Sequence, residues 1–188
     1  MSSMIIKTKT RFFLAVEGES EQSFISWVQM VCNNLQLAVH LDAAVLGGKS
    51  YDYMLDKAVK ERDKKNRSKA KKCILLVDAD VGNFANGWSC QDLKERASKA
   101  NFEVCFQRPN HEALLCQLFA GYEQKKFANS KAADSKLKKL WSNYKKPANA
   151  YQLSAQFCGD DLFRAAAYDS ELKKLLTYIG LMPDGNPD

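Results

Sequence analysis

Six carboxylates stand in three short stretches, each placed just after an apolar run. Glu17, Glu19 and Glu21 follow residues 11–16, Asp78 and Asp80 follow 73–77, and Glu112 follows 102–107 across Arg108, Pro109, Asn110 and His111. An apolar run that stops at a carboxylate puts that carboxylate at a strand's C-terminal end, the edge of an open α/β sheet where ligands gather. Like charges on one edge raise each other's pKa, and a divalent cation relieves that repulsion. Asp78 and Asp80, two apart in extended chain, point to the same side and can reach one ion. Magnesium takes octahedral oxygen ligands and keeps several waters, so a few acids from separate segments suffice. Glu17, Glu21, Asp78 and Asp80 are therefore the candidate metal ligands, for Mg²⁺ or Mn²⁺. Phosphoryl transfer is the chemistry such a site suits best, with Glu17 as candidate general base or acid. Glu21 reads equally as a glutamate in the first turn of a helix, a common capping arrangement, and Glu19 as a side chain facing water.

The basic residues suggest what the acids would act on. Residues 49–72 hold ten Lys and Arg against four acids, and 125–146 hold eight Lys against one Asp. Basic stretches beside an acidic site suit a polyanion bound there, although each alone reads equally as a solvated helix face. Lys49, Arg108, His111, Lys145 and Lys146 are the candidate nucleic-acid contacts. Arg108 either clamps a phosphate bidentately or pairs with a site acid. His111 either meets a phosphate or assists proton transfer; the commoner reading for a lone histidine near a helix start is a surface or capping residue. Tyr51, Tyr53 and Tyr144 either stack on bases or sit at the core's rim. Gly47-Gly48-Lys49-Ser50 lacks the leading glycine of a phosphate loop.

Alternating strand and helix patterns must position these groups, which implies a mainly parallel sheet covered on both faces. Strands are expected at 11–17, 37–46, 73–77 and 102–107. The intervening helices are expected at 20–33, 50–63 and 90–99, with Trp27 at the rim of the first one's apolar stripe. Ser89 reads as the N-cap of the third, after a loop at 81–89. Pro109 is expected inside the first turn of the next helix. Beyond residue 134 helices follow, broken near Pro147 and Gly159, with Leu162 to Ile179 as one apolar stripe. The domain reading is a catalytic α/β unit over 11–122 and a C-terminal helical extension over 123–182.

With 188 residues, 46% of them hydrophobic, the chain is long and apolar enough for a folded core. No apolar run approaches the ~20 residues that span a bilayer, and residues 1–9 have no secretory h-region. A cytoplasmic protein without membrane contact is expected. The six cysteines include no C-x-x-C pair and read as reduced apolar residues.

Glu17-Gly18-x-x-Glu21 after one strand and Asp78-x-Asp80 after a later one resemble the Toprim domain of topoisomerases, bacterial primases, recombination proteins and OLD nucleases. The segment from Pro109 through Glu112 to Phe119, and Tyr144 to Pro147 after the sheet, are similar to RloB-like proteins, small bacterial Toprim-type proteins associated with restriction and phage-defence loci. The likeness covers about residues 11–150. It implies a three-layer Toprim-like α/β fold, Glu17 as the catalytic glutamate, Glu21, Asp78 and Asp80 as metal ligands, and Glu112 as a further catalytic residue. It also implies nuclease action on DNA or RNA in anti-phage defence, beside a partner such as an ATPase or in a homo-oligomer. The competing readings are a non-catalytic regulatory subunit that keeps the fold, and a phosphotransferase, which lacks a nucleotide-binding loop here.

Overall fold

The computed structural model describes residues 8–64, 67, 69–70, 72–80 and 87–183. Four strands, β1 (Thr10–Val16), β2 (Val39–Val45), β3 (Lys72–Asp78) and β4 (Glu103–Gln107), form one sheet in the order β2-β1-β3-β4. Every neighbouring pair is parallel. Helices α1 (Glu19–Asn34), α2 (Tyr51–Arg62) and α3 (Cys90–Lys99) supply the crossovers, and α4 (His111–Gln117) follows β4. Four more helices complete the chain: α5 (Ser130–Leu140), α6 (Ala150–Gln156), α7 (Gly159–Ala166) and α8 (Ser170–Tyr178). No described helix is long and apolar enough to cross a membrane.

The strand pleat divides the core in two. Phe12, Leu14, Val16, Ile74, Leu76 and Cys105 face α1 and the helices from α4 onward. Phe13, Ala15, Cys73, Leu75, Val77, Val104 and Phe106 face α2 and α3. Because side chains alternate between faces, the register fixes which acids share the C-terminal edge. Val16 lies beside Leu76, and Asp78 beside Gln107. The chain runs from β1 outward to β2 and then crosses back past β1 to β3, so the order reverses between β1 and β3. In open α/β sheets ligands sit at that reversal, and Glu17 and Asp78 flank it.

Both sheet edges are covered by side chains. On β4, Phe106 N–H donates to Glu171 Oε2 (3.3 Å) and Lys174 Nζ donates to the Val104 carbonyl. On β2, Gln29 accepts from Leu41 N–H (2.7 Å) and donates to the Val39 carbonyl (3.3 Å). These bonds satisfy backbone groups that would otherwise template another strand.

Three sequence expectations change. Trp27 is buried in the core, not at its rim, packed between Phe24 and Phe157. Pro109 precedes α4, because Asn110 takes the N-cap position and its Oδ1 accepts the Ala113 N–H. The break expected near Gly159 falls at 157–158, between α6 and α7, and Gly159 itself begins α7; a Cβ there would meet Val31 Cγ1 at 3.3 Å, so the glycine permits close packing on α1. The stripe from Leu162 to Ile179 belongs to two helices, since α7 ends at Ala166 and Asp169 caps the next by accepting from Glu171 and Leu172 N–H, both at 2.9 Å. Most of the loop expected at 81–89 lies outside the described residues. The apolar residues of α5 to α8, among them Leu137, Leu153, Leu162 and Leu176, join the same core as the sheet's α1 face.

Candidate functional site

Glu17 is the residue after β1. Its backbone continues the sheet, with its N–H donating to the Leu76 carbonyl (3.1 Å) and its carbonyl accepting from Gly47 N–H (2.9 Å). Gly47 has φ +77°, which suits glycine. A Cβ on Gly48 would meet Glu17 Oε1 at 3.1 Å. The Gly-Gly turn after β2 therefore forms the wall against which Glu17 packs, a role its sequence does not announce beyond marking a turn.

Asp78 ends β3, and its N–H donates to Glu17 Oε2 at 3.0 Å. Its carbonyl accepts from Tyr51 Oη (2.9 Å). Its Oδ1 is buried and, among the described residues, has no hydrogen-bond partner. Ala79 and Asp80 N–H both donate to the Pro109 carbonyl (3.1 and 3.2 Å), which ties the second acidic segment to the third. Asp80 Oδ2 accepts from the Ser130 hydroxyl at the start of α5. Glu21 is buried in the first turn of α1; its Oε2 accepts from Gly18 N–H (2.8 Å), the capping arrangement.

Glu112 is 2% exposed. Its Oε1 lies 2.7 Å from Lys146 Nζ and 3.4 Å from Tyr144 Oη, and its Oε2 accepts from Asn110 Nδ2 (2.6 Å). His111 is not the surface or capping residue its position suggested. It is 1% exposed, with Nδ1 2.7 Å from Gln107 Nε2 and 3.7 Å from Glu21 Oε1, and its ring meets Phe24 edge to face. That position leaves it no solvent-facing edge for a phosphate.

The electrostatics record how closely the acids crowd. Burial pushes Glu17 up to about 7; the Asp78 N–H and Lys146 oppose this, while Glu21 and Asp80 add to it. Burial, then the charges of Glu21, Glu17, Asp80 and Glu112, pushes Asp78 up to about 9. Burial holds His111 below its ordinary value although Glu21 and Glu112 pull the other way. Lys146 is lowered by burial but raised more by Glu112, Glu21 and Asp78, so it stays charged.

Glu17, Glu21, Asp78, Asp80 and Glu112 thus feel one another's charge at one edge of the sheet. Among the described residues, however, no three His, Cys, Asp or Glu side chains stand at mutual metal-ligand spacing. Most of these acids have one oxygen engaged by a protein donor, and Asp78 Oδ1 is left bare. A bare buried carboxylate oxygen in a field of four other acids fits a cation. Magnesium needs only one or two direct carboxylates with waters completing its shell.

The remaining basic candidates are dispersed. Lys49 is exposed and lies over the Tyr53 ring (4.5 Å). Arg108 is exposed over Phe106 (5.3 Å), and among the described residues it makes no ion pair with a site acid. Lys145 is exposed, while Lys146 reaches Glu112. Tyr51 and Tyr144 are buried supports of the site, not stacking platforms. Sequence reading missed Tyr51, Ser130 and Asn110 as props of Asp78, Asp80 and Glu112. Only Asn110, a capping type just before a helix, carried a local signal.

No protein-family model and no curated protein matches the chain. Among solved structures it is similar to the C-terminal region of the Burkholderia pseudomallei OLD protein, with TM-score 0.50 and 13% identity, over 91% of this chain and 97% of that one. The C-terminal region of the Xanthomonas campestris pv. campestris OLD protein gives TM-score 0.45 at 13% identity, over 92% and 98%. The first likeness and the all-parallel sheet define a Toprim-like α/β fold.

Proposed function

We propose that this chain is a Toprim-type, Mg²⁺- or Mn²⁺-dependent nuclease that hydrolyses phosphodiester bonds of DNA or RNA, an RloB-like protein of bacterial anti-phage defence. The observation that carries the reading is the Glu17–Asp78 pair. At the ends of adjacent parallel strands the Asp78 backbone N–H donates to Glu17 Oε2 (3.0 Å), the two side-chain carboxyls are raised to about 7 and about 9, and Asp78 Oδ1 is buried with no hydrogen-bond partner among the described residues. Asp78, Asp80, Glu21 and Glu17 would hold the ion. When bound, it neutralises charge on the scissile phosphate and acidifies water.

The chain's own groups supply the rest. Glu17, near neutrality in pKa, is poised to take or return a proton at the attacking or leaving oxygen. Lys146 stays charged beside Glu112 and offers a positive group to a phosphate oxygen. Buried Glu112 fixes that ammonium through its 2.7 Å contact, and Tyr144 and Asn110 fix Glu112. The reading places the protein in the cytoplasm, alone, as a homo-oligomer or beside an ATPase partner. The test is cleavage of labelled DNA and RNA by purified protein with Mg²⁺ or Mn²⁺. Loss of cleavage in Glu17→Gln and Asp78→Asn supports it; failure to cut any nucleic acid with either ion overturns it.

A second reading is a non-catalytic Toprim-like regulatory subunit. It is favoured by the internal hydrogen bonds that already engage Glu17, Glu21, Asp80 and Glu112. Under it, Mg²⁺ would leave the melting temperature unchanged.

A further inference from the structure

A cleft of about 850 Å³ opens beside Asp80, between the segment at 126–131 and the turn at 168–171. We propose that it seats an unpaired stretch of the nucleic-acid strand, with Arg108, Lys126 and Lys131 on its phosphates and Tyr168 stacked on a base. The choice of ligand rests on the nuclease reading above; the seat itself rests on the following geometry.

The cleft shares Asp80 with the acidic edge, and Asp80 lies close enough to Glu17 for their charges to interact, so a strand lying in it meets that edge at Asp80. Its volume lies within the ~300–1,000 Å³ of pockets that enclose an organic ligand, more than a lone phosphate needs.

The charges along its wall are unequal in kind. Three acids line it, and each is engaged by the protein itself. Asp80 accepts from Ser130. Asp169 caps α8 through two backbone N–H groups at 2.9 Å. Glu171 meets Lys174 at 2.8 Å and the Phe106 N–H at 3.3 Å. The three cations Arg108, Lys126 and Lys131 are all exposed, and among the described residues none lies within ion-pair distance of a carboxylate. The lining balances three acids against three cations, and the cations are the charged groups left free to reach a ligand's phosphates.

Tyr168, 58% exposed, lines the same cleft. An aromatic face beside unpaired cations is the pattern that binds single strands, because stacking needs base faces that a duplex hides. Past Phe127, which lines both, a second hollow adds Lys125, Lys136 and Tyr122 and no acid. That gives the strand a track leading away from the acids.

The test is fluorescence anisotropy of the whole chain with a short labelled single strand in EDTA, where cleavage is blocked, across a salt series. Lys126→Ala/Lys131→Ala should weaken binding on the order of tenfold. It should also flatten the log–log salt slope by about 1.4, two contacts at ~0.7 each. Tyr168→Ala should weaken binding on the order of tenfold at every salt concentration. Lys99→Ala, on the far face of the sheet, should bind as wild type, and a blunt duplex should bind less well than the strand. Wild-type binding by both cleft variants overturns the proposal, as does equal competition by polyglutamate. The two readings fail separately. Cleavage with wild-type strand binding in the cleft variants removes the seat and leaves the nuclease. Variant-sensitive binding without cleavage under any metal removes the nuclease and leaves the seat.

Discussion

The Asp78 N–H donates to Glu17 Oε2 at 3.0 Å, and that bond locks together the ends of β1 and β3 at the point where the strand order reverses. It fixes one oxygen of Glu17 and leaves the other beside Gly48. It also holds two acids together although both resist ionisation there.

Glu17→Gln keeps an acceptor for the Asp78 N–H and removes the charge. Metal-dependent cleavage should fall at least 10²-fold, the lower range for a general acid–base group, while the melting temperature holds or rises. Glu17→Ala, which also loses the acceptor, should be less stable than the glutamine variant. Parallel cleavage assays and thermal melts check both.

Without metal, stability should fall as pH rises. Unfolded, Glu17 and Asp78 ionise near 4.5 and 3.8; folded, they do so at about 7 and about 9. The folded state therefore holds more protons in between, and stability declines with pH wherever that is so. The contribution of these groups is complete below about pH 4. It is lost as pH passes about 7 for Glu17 and about 9 for Asp78. Melts in EDTA should show this decline, and Mg²⁺ should reverse most of it at the alkaline end, because the ion competes with those protons.

Asp78→Asn removes a buried acid that four others oppose. The metal-free variant at neutral pH should melt higher than wild type by about 2–4 °C, the shift that ~1 kcal/mol produces in a chain of this size. Its melting temperature should no longer respond to Mg²⁺. A lower melting temperature with an intact Mg²⁺ response would show that Asp78 is structural only.

Ser130 holds Asp80 from the start of α5. Ser130→Ala should weaken divalent-ion affinity about 10–100-fold, as loss of a group supporting a ligand does, and Ser130→Thr should restore it. Calorimetric titration of the two variants is the check.

Lys146 balances Glu112 at 2.7 Å, with the carboxylate buried and the lysine half exposed. Lys146→Met should cost about 1–2 kcal/mol, less than a fully buried pair because water reaches the ammonium. Adding Glu112→Gln should recover part of that loss, since the uncompensated buried charge is gone. Urea melts of the single and double variants measure the recovery.

The sheet was legible because β1, β3 and β4 are apolar runs that end at polar residues, and the turns after them carry Gly18 and Pro109. The grouping of Glu17, Asp78 and Asp80 followed from those strand ends alone. His111 was misplaced because its burial comes from Gln107 and Phe24, the latter far away in sequence. Ser130 and Tyr51 gave no signal, since each acts on an acid 50 or 27 residues distant. The break at Asp169 was hidden because α7 and α8 both turn leucines toward one core, which imitates a single continuous stripe.

Calorimetric titration of Mn²⁺ into the whole chain and into Asp78→Asn/Asp80→Asn is the most direct measurement. Saturable binding by the wild type, with proton release near neutral pH and no binding by the variant, is the expected result. A wild type that takes up no ion, or a variant that binds as tightly as wild type, would contradict a cation site at the ends of β1 and β3.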